Sequence, residues 1–510
     1  MDTQLTDLVC LNTKDNVGLA IQGLLSGASI KDGDLICQED IPAGHKMALT
    51  FIGKGDPVIK YGSVIGFARN DIPKGTHVHT HNVYVSEVST KKYEVGTKVS
   101  RTRFRDPASR PTFDGYLRPS GQVGTRNYIG ILSTVNCSAS VAHFIADKAN
   151  KIYAGKYEGF DGFVAISHGA GCCMTIGGEG LAYLQMALAG FAMNPNFGGI
   201  LVVGLGCEVN LVNTFLEAGN LNESPLLKTL DIQNLGGTRN TVSKGLELID
   251  AMILDVVSIR RQPISVEHLV VGLECGGSDA YSGITSNPSL GAAADLVVEN
   301  GGTVILAETP EIYGAEHLLI ERASSPEVAK KLMDRISWWE AYTKKHDAQL
   351  NNNPTPGNKA GGISTILEKS LGAVAKAGTT NLNEVYTYAE PVNSKGLVFM
   401  DTPGYDIVSV TGMIAGGANM VCFTTGRGTV VGFKPVPCLK LASNTPLFDS
   451  LSDDIDINCG LVLDQGVHIS HMGEKIFKTI LKVASGKLSK SEAQGFGDRE
   501  FVPWHIGAVL

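Results

Sequence analysis

Four cysteines stand at the ends of four apolar, strand-like runs. The runs YIGILSTVN, FVAIS, GILVVGLG and HLVVGLE lead to Cys137, Cys172, Cys207 and Cys275, each in or beside a glycine-rich loop. Because parallel strands place their carboxyl ends along one edge of a sheet, where α/β proteins bind ligands, we expect these thiols to converge. Thiolates are soft ligands, so such a set would suit ferrous iron, an iron–sulfur cluster or zinc.

The other cysteines have a simpler interpretation. Cysteine is among the most buried residue types, and core positions are expected for Cys10, Cys37, Cys422, Cys438 and Cys459. Cys173 directly follows Cys172 and receives no role. The sequence has no Cys-x-x-Cys pair, which excludes the zinc-ribbon and ferredoxin spacings.

A second group of metal-ligand type is His77-Val78-His79-Thr80-His81. On a strand, period-two spacing puts all three imidazoles on one face. Neutral imidazole is a common metal ligand, so His77 and His79 are candidate ligands. An exposed polar face is the alternative. Whether these histidines share a site with the cysteines is left open.

Other loop residues are suited to proton transfer or to binding an anion. His168, Glu208 and Asp279 lie beside the cysteines and are the candidate acids and bases. Arginine and lysine bind carboxylates, and the candidate substrate-binding residues in glycine-rich turns are Arg126, Asn127, Ser278, Asn358, Lys359 and Arg427. A surface role is the alternative for each of them.

Four regions are expected to position these residues. Residues 1–86 contain short alternating segments and two Asp-Ile-Pro-x-Gly turns, which predict a small all-β domain. Residues 87–112 form a basic linker, either a solvated connector or a strap that attracts an anionic substrate. In 113–385, apolar runs alternate with helical patterns, which predicts an α/β catalytic domain with a mostly parallel sheet. Residues 386–510 repeat this pattern as a second, smaller α/β unit.

Composition excludes several classes of protein. The 510 residues carry a formal net charge of −8, which argues against a nucleic-acid partner. A hydrophobic fraction of 43% excludes a disordered chain. The 60 glycines lack a Gly-X-Y period, so they are expected in turns and close approaches of the backbone, many beside the candidate ligands.

Several common signals are missing. The sequence has no dinucleotide-binding G-x-G-x-x-G after a strand, no P-loop and no G-x-S-x-G elbow, which disfavours dehydrogenases, kinases and serine hydrolases. We see neither a signal peptide nor an apolar run long enough to span a membrane, and we therefore expect a cytoplasmic protein without a membrane partner.

Long blocks of this sequence resemble the altronate/galactarate dehydratase family of sugar-acid hydro-lyases. The N-terminal part is similar to the family's SAF domain, a β-clip-like fold, in DNVGLAI, DIPAGHKMAL and HVHTHN. The catalytic part is similar in GQVGTRN, GLECGGSDAYSGITSNPSLG, ETPEIYGAE, PTPGNKAGGISTILEKSLG and TTGRGT. HVHTHN and PGNKAGG are closer to altronate dehydratase, whereas His168-Gly-Ala-Gly-Cys172-Cys173-Met174 departs from its pattern.

The resemblance implies dehydration of an aldonic or aldaric acid, D-altronate first, to a 2-keto-3-deoxy acid, with dependence on Fe²⁺. The iron would be mononuclear or part of an iron–sulfur cluster, held by some of the four strand-end cysteines, with or without His77 and His79. Arg126 and Lys359 would hold the substrate carboxylate, and a homo-oligomer is compatible with this assignment.

Two other functions are considered. A related lyase acting on galactarate or on sulfolactate is suggested by the altered loop of residues 168–174. A non-enzymatic iron-binding sensor would bind iron without turning over any sugar acid.

Overall fold

The structure is a computed structural model that describes residues 7–30, 34–86 and 93–508. The N-terminal part forms a small β unit, residues 7–86, built from short antiparallel strands. Its strands are β1 Leu8–Val9, β2 Val17–Ala20, β3 Ser29–Ile30, β4 Leu35–Ile36, β5 Lys46–Ala48, β6 Pro57–Lys60, β7 Ser63–Ala68, β8 His77–Val78 and β9 Val83–Tyr84. They form sheets with the orders β1-β2-β5-β8, β6-β7-β9 and β3-β4. The repeated Pro-x-Gly turns precede β5 and β8, as the sequence predicts. Gly44 at the first turn has a φ of 77°, which side-chain-bearing residues rarely adopt.

The next part of the chain builds a four-stranded parallel sheet, here called the small sheet. The elements of this part are β10 Thr112–Leu117, β11 Val123–Gly124, β12 Tyr128–Ser133, α1 Ala139–Tyr153, β13 Gly162–Ile166, α2 Glu179–Met193, β14 Phe197–Gly204, α3 Val212–Ala218, β15 Leu227–Asp231, α4 Thr238–Ser258 and β16 Arg261–Ser265. The small sheet has the order β13-β12-β14-β15. Its apolar strands are covered by α1 and α4 on one face and by α2 on the other, as expected for a buried parallel sheet. Strands β11, β10 and β16 form a separate antiparallel sheet.

The remaining chain builds a seven-stranded parallel sheet, the large sheet. Its strands and the helices that connect or cover them are β17 Val270–Cys275, α5 Ser286–Glu299, β18 Thr303–Leu306, α6 His317–Ile320, α7 Pro326–Lys345, α8 Pro356–Ala360, α9 Ile366–Val374, β19 Leu382–Tyr386, β20 Gly396–Met400, α10 Asp406–Ala415, β21 Met420–Thr425, β22 Cys438–Ala442, α11 Thr445–Ser450, β23 Ile457–Asn458, α12 Leu461–Asp464, α13 Ile469–Ala484 and α14 Lys490–Gln494. The predicted α/β class with an N-terminal all-β domain is confirmed.

The large sheet crosses the boundary that the sequence suggests at residue 385. Its strand order is β19-β20-β18-β17-β21-β22-β23, so strands from both sides of that position are hydrogen-bonded neighbours. The two α/β parts therefore divide between β15 and β17, and the C-terminal strands are no separate smaller unit. The sequence suggests two units on either side of residue 385 because strands of one sheet and strands of two sheets give the same apolar runs.

Part of the predicted basic linker, residues 87–92, lies outside the described residues. The rest runs along the catalytic part, where the Tyr93 hydroxyl donates to Glu316 Oε1 at 2.5 Å and the Lys98 backbone N–H donates to the Glu321 carbonyl at 2.7 Å. No helix in the described ranges is both long and apolar enough to cross a bilayer.

Candidate active site

The large sheet has one point where its connections leave in opposite directions. From β17 the chain passes to β18 on one side, whereas from β21 it passes to β22 on the other, and β17 and β21 are neighbours. In open α/β sheets, ligands bind in the crevice at the carboxyl ends of such a strand pair. The loops that follow β17, β21 and β22 therefore mark the expected ligand-binding edge.

A cavity of about 660 Å³ lies at this edge, between the large sheet and the β unit. The loops after the large-sheet strands contribute Asp279, Arg427 and Asn444, and the β unit contributes residues 21–23 and Ala43. Small-molecule sites typically fall in this range of volume. The cavity is therefore large enough for a small organic acid and carries both an acidic and a basic side chain.

Asp279 is buried in the cavity wall with its carboxylate held in place. Its Oδ1 accepts hydrogen bonds from the Ser282 backbone N–H, the Ser282 hydroxyl and the Ser443 hydroxyl, each at 2.8 Å. Its Oδ2 accepts one from Asn444 Nδ2 at 3.0 Å. Burial raises the pKa of Asp279 above its usual value, although these hydrogen bonds favour the ionised form. The carboxylate is thus oriented and more basic than it would be in water.

The structure brings four of the predicted substrate-binding residues to this edge. Arg427 lines the cavity with an exposed side chain. Lys359 is half-buried on α8, next to Ala360 and Gly361 of the cavity wall.

Asn358 and Ser278 serve the architecture of the same region. The Asn358 amide donates to the Ser278 carbonyl at 2.8 Å, and its oxygen accepts from the Thr355 backbone N–H at the start of α8. This contact ties α8 to the loop that carries Asp279. Both residues therefore hold the loop in position.

Arg126 and Asn127 do not reach the cavity, which corrects the expectation that they bind substrate. Arg126 is 1% exposed and pairs with Glu492 through Nε at 2.6 Å and through its Nη2 atom at 2.9 Å. It therefore binds a carboxylate in bidentate fashion, but that carboxylate belongs to the chain itself. Asn127 is fully buried, and its amide donates to the carbonyls of Gly159 and Val256.

Three histidines of the β unit meet beside the same cavity. His45 Nδ1 lies 2.9 Å from His77 Nε2, and His45 Nε2 lies 3.3 Å from the carbonyl oxygen of Ala360, a cavity residue. One ring nitrogen from each of His45, His77 and His79 falls within 4.8 Å of the other two. His77 and His79 were expected from the sequence. His45 was missed, because only the pairing of β5 with β8 brings it alongside them.

These three histidines, here called the histidine trio, fit a divalent transition metal. His79 Nδ1 is buried without a hydrogen-bond partner among the described residues, which leaves a ligand atom free. Burial, followed by the positive charge of neighbouring groups, lowers the pKa of His77 to about 4 and that of His79 to about 3. Both rings are therefore neutral near pH 7, the form that binds metals.

A buried ion-pair network fastens the β unit beside the cavity. Lys46 Nζ and Lys60 Nζ each lie 2.8 Å from one oxygen of Glu368 on α9, and these side chains are 0%, 3% and 1% exposed. Lys46 directly follows His45, and its Nζ also donates to the Gly362 carbonyl at 2.6 Å. The network therefore fixes the histidine trio relative to the catalytic part.

The four strand-end thiols do not converge on one point. Cys137, Cys172 and Cys207 follow β12, β13 and β14 of the small sheet and are exposed. Cys275 ends β17 of the large sheet and is buried. The assumption of a single sheet was wrong, because apolar runs in two separate sheets look alike in sequence.

Cys275 lies among buried carboxylates. Its thiol is 3.3 Å from Glu311 Oε2 and 3.5 Å from Glu308 Oε2. Burial, followed by the charge of Glu308, raises the pKa of the Cys275 thiol well above its usual value. Lys376 and Lys369 lie 3.1 Å and 2.7 Å from Glu308 and Glu311 respectively, so the cluster supplies its own counter-charges.

His168 and Glu208 are buried beside the thiols of the small sheet, where the loop backbone uses their polar atoms. His168 Nε2 lies 3.0 Å from the Ser133 carbonyl oxygen, and its Nδ1 accepts from the Ala170 N–H. Glu208 accepts from the Thr134 hydroxyl at 2.7 Å and from three backbone N–H groups of residues 205–207. Both side chains therefore fix the loops, and of the three candidate acids and bases Asp279 is the one that lines the large cavity.

The core positions expected for other cysteines are mostly confirmed. Cys37, Cys422, Cys438 and Cys459 are buried, whereas Cys10 is exposed. The expected core position was therefore wrong only for Cys10, which lies just after the short edge strand β1.

Comparison with known proteins gives matches along nearly the whole chain. Residues 6–86 match the altronate/galactarate dehydratase SAF domain, 115–256 match the D-galactarate dehydratase/altronate hydrolase second domain, and 266–509 match the D-galactarate/altronate dehydratase C-terminal domain. The chain is 34% identical to the altronate dehydratase of Bacillus subtilis (strain 168) over 98% of this chain and 99% of that protein. It is 35% identical to the altronate dehydratase of Escherichia coli (strain K12), over 98% and 99%. It is also 35% identical to the galactarate dehydratase (L-threo-forming) of the same strain, over 93% and 92%.

Proposed function

Because this chain belongs to the D-galactarate/altronate dehydratase family, we propose that it is a hydro-lyase that removes water from a sugar acid. D-Altronate is the proposed substrate, and a 2-keto-3-deoxy acid is the proposed product. The observation that supports this best is the cavity at the carboxyl edge of the large sheet. It combines an oriented carboxylate, Asp279, with the guanidinium of Arg427, and the histidine trio lies beside it.

Asp279 is the proposed base for the C2 proton. That proton is weakly acidic, so its removal needs a well-placed base with a raised pKa. Burial gives Asp279 this property, and Ser282, Ser443 and Asn444 hold it in one orientation. Returning the proton to the departing C3 hydroxyl releases water and leaves an enol, which tautomerises to the 2-keto-3-deoxy acid. The reaction is then balanced without a further reactant.

Arg427 is the proposed anchor of the substrate carboxylate, with Lys359 as a second positive charge on α8. Arginine can bind a carboxylate through two parallel hydrogen bonds, which fixes the orientation of C2. Such an anchor also stabilises the negative charge that develops on the carboxylate when C2 is deprotonated.

His45, His77 and His79 are the proposed ligands of Fe²⁺. When bound there, the metal would supply a Lewis acid for substrate oxygens, which the poor C3 hydroxyl leaving group requires. The residues themselves contribute neutral imidazoles held by the pairing of β5 with β8, and Lys46 anchors the start of β5, directly after His45.

The test is a substrate panel with anaerobically purified protein, containing D-altronate, galactarate and sulfolactate, and followed by 2-keto acid formation and sulfite release. We expect D-altronate to give the highest kcat/KM without sulfite release. Asp279→Asn should lower kcat by about 10² to 10⁴-fold, whereas Asp449→Asn, an exposed carboxylate on the nearby helix α11, should not. His77→Ala should remove bound iron, whereas His81→Ala, the exposed neighbour, should retain it.

Three results would contradict this assignment. Sulfite release from sulfolactate as the fastest reaction would make the chain a sulfo-lyase. Iron binding with no turnover of any sugar acid would indicate a sensor. Full activity of Asp279→Asn would show that Asp279 is not the base, but it would not contradict the proposed dehydration.

A further inference from the structure

Three loops at the carboxyl edge of the small sheet are fastened to one another by hydrogen bonds. The Asn136 backbone N–H donates to the Ala170 carbonyl at 3.0 Å. The Val209 and Asn210 N–H groups donate to the carbonyls of Cys172 and Gly171 at 3.2 and 3.1 Å. These contacts link the loops that carry Cys137, Cys172 and Cys207. The thiol-bearing backbone is therefore preorganised rather than free to move loop by loop.

The close approach of these loops depends on particular residues. Gly171 has a φ of 100°, and a Cβ there would lie 2.4 Å from the Thr134 carbonyl oxygen, so a side chain is excluded. The Asn210 side-chain amide donates to the same carbonyl at 3.0 Å. The Glu208 carboxylate accepts hydrogen bonds from the backbone N–H groups of Gly206 and Cys207 and so holds the turn at Cys207. A glycine, an amide and a buried carboxylate thus hold the three thiol-bearing loops against one another.

The exposure of these thiols argues against a packing role. The cysteines of the large sheet, including Cys422 and Cys438, are buried, whereas Cys137, Cys172, Cys173 and Cys207 are all exposed. Cys207 accepts a hydrogen bond from Gln233 Nε2 at 3.4 Å, which brings a polar neighbour but no positive charge. Exposed thiols on neighbouring loops are suited to the soft metal ions and iron–sulfur clusters that thiolate ligands select.

Three thiols that bind one and the same metal ion must lie close to one another. A tetrahedral ion with metal–sulfur bonds of about 2.3 Å would bring its sulfur ligands to about 3.8 Å from one another. Among the described residues, the three-ligand groups whose atoms all lie within 4.8 Å of one another do not include these thiols. In an iron–sulfur cluster each thiolate binds a different iron, so the ligands stand farther apart.

From this arrangement we propose that Cys137, Cys172 and Cys207 bind a [4Fe–4S] cluster, separate from the histidine trio. Three thiolates leave the fourth iron without a protein thiolate. A cavity of about 320 Å³ adjoins the site, lined by Cys172 and Cys173 and by residues 503–508 of the C-terminal segment. This cavity would give a small oxygen ligand room beside the bound cluster. Cys275, in the other sheet, takes no part.

The test is iron and acid-labile sulfide analysis of the full chain, purified without oxygen and reconstituted with ferrous iron and sulfide. Wild type should contain about four sulfides per chain, with the visible absorption of a cluster and an electron paramagnetic resonance signal after reduction. Cys137→Ser, Cys172→Ser and Cys207→Ser should each lose most of the sulfide. Cys173→Ser, Cys275→Ser and the exposed Cys10→Ser should retain it.

A second measurement does not depend on how the variants fold. Alkylation of the wild-type protein, read by mass spectrometry, should spare Cys137, Cys172 and Cys207 until the cluster is removed by a chelator. Three results would overturn the proposal. They are reconstituted protein that contains no acid-labile sulfide, zinc bound where the cluster is expected, and equal alkylation of all exposed thiols before and after chelation. His77→Ala should keep its sulfide, so failure of the histidine site and failure of this one are distinguishable.

Discussion

Replacing Glu368 with glutamine should loosen the attachment of the β unit to the catalytic part. Glu368 is the carboxylate partner of both Lys46 and Lys60, and all three side chains are at most 3% exposed. Glutamine has nearly the same shape but no charge, so the variant would leave two ammonium groups buried without a counter-ion. The structural cause of any effect is therefore electrostatic, because the volume of the side chain hardly changes.

The size of the effect follows from the burial of the network. Breaking a buried ion pair by removing one partner typically costs about 3 to 5 kcal/mol, since the other charge stays desolvated. This corresponds to a roughly hundred- to several-thousand-fold increase in the opening equilibrium of the β unit. Replacing Lys46, Lys60 and Glu368 together by methionine should cost far less, because no charge then remains buried.

Amide hydrogen exchange measures this local opening directly. We expect peptides that cover β2 and β5 to exchange faster in Glu368→Gln by the factor above. Asp334→Asn serves as the control, because its pair with Lys330 is more than half exposed on both sides and contributes little. Exchange in Glu368→Gln within threefold of the wild-type rate would refute the electrostatic account of the interface.

The pH dependence of the same exchange provides an internal check. Burial alone would raise the pKa of Glu368, but the two ammonium groups outweigh it and hold the pKa well below the usual 4.5. A carboxyl whose folded pKa is depressed stabilises the folded state above its unfolded pKa and loses this contribution as the pH falls. The β unit of the wild type should therefore open more readily below about pH 4.5, and Glu368→Gln should lack this dependence.

Two further predictions concern buried charges elsewhere. Arg126→Met should leave the Glu492 carboxylate buried without its ion-pair partner and should therefore lower the thermal unfolding temperature. KM should stay within about twofold of the wild-type value. A raised KM with unchanged stability would instead indicate that Arg126 binds substrate. Burial, followed by the charges of Glu308 and Glu311, raises the pKa of Asp406 from 3.8 to about 7. Ionising this carboxyl is therefore unfavourable in the folded state, and folding stability should fall as the pH rises from about 4 to 7, by at most about 4 kcal/mol. Asp406→Asn should flatten that slope in urea unfolding measured across the range, and an unchanged slope would contradict the assignment.

The sequence predicted the individual elements better than their assembly. Apolar runs ending at Cys137, Cys207 and Cys275 are all strands of parallel sheets, as expected. Which strands share a sheet depends on pairing between distant segments. The sequence of a run such as HLVVGLE does not show which other strand it will pair with. Cys275 was therefore grouped with thiols that belong to another sheet.

The same limit explains the errors in the candidate site. His45 joins His77 only because β5 pairs with β8, and the two residues are 32 positions apart. Arg126 lies in a glycine-rich turn of the kind that often binds substrates, but its partner Glu492 is 366 positions away. Asp279 and Arg427 line the same cavity because both lie in loops that follow β17 and β21, whose carboxyl ends meet at this edge.

The two candidate metal centres differ in what surrounds them, and this difference decides where the dehydration should occur. At the small sheet, His168 and Glu208 are the groups able to move protons, and backbone hydrogen bonds hold both of them. At the large sheet, Asp279 lines a cavity that also holds Arg427 and lies beside the histidine trio. Asp279→Asn should therefore lower kcat by about 10² to 10⁴-fold with its sulfide content unchanged, whereas Cys207→Ser should lose sulfide and keep the iron bound by the histidines.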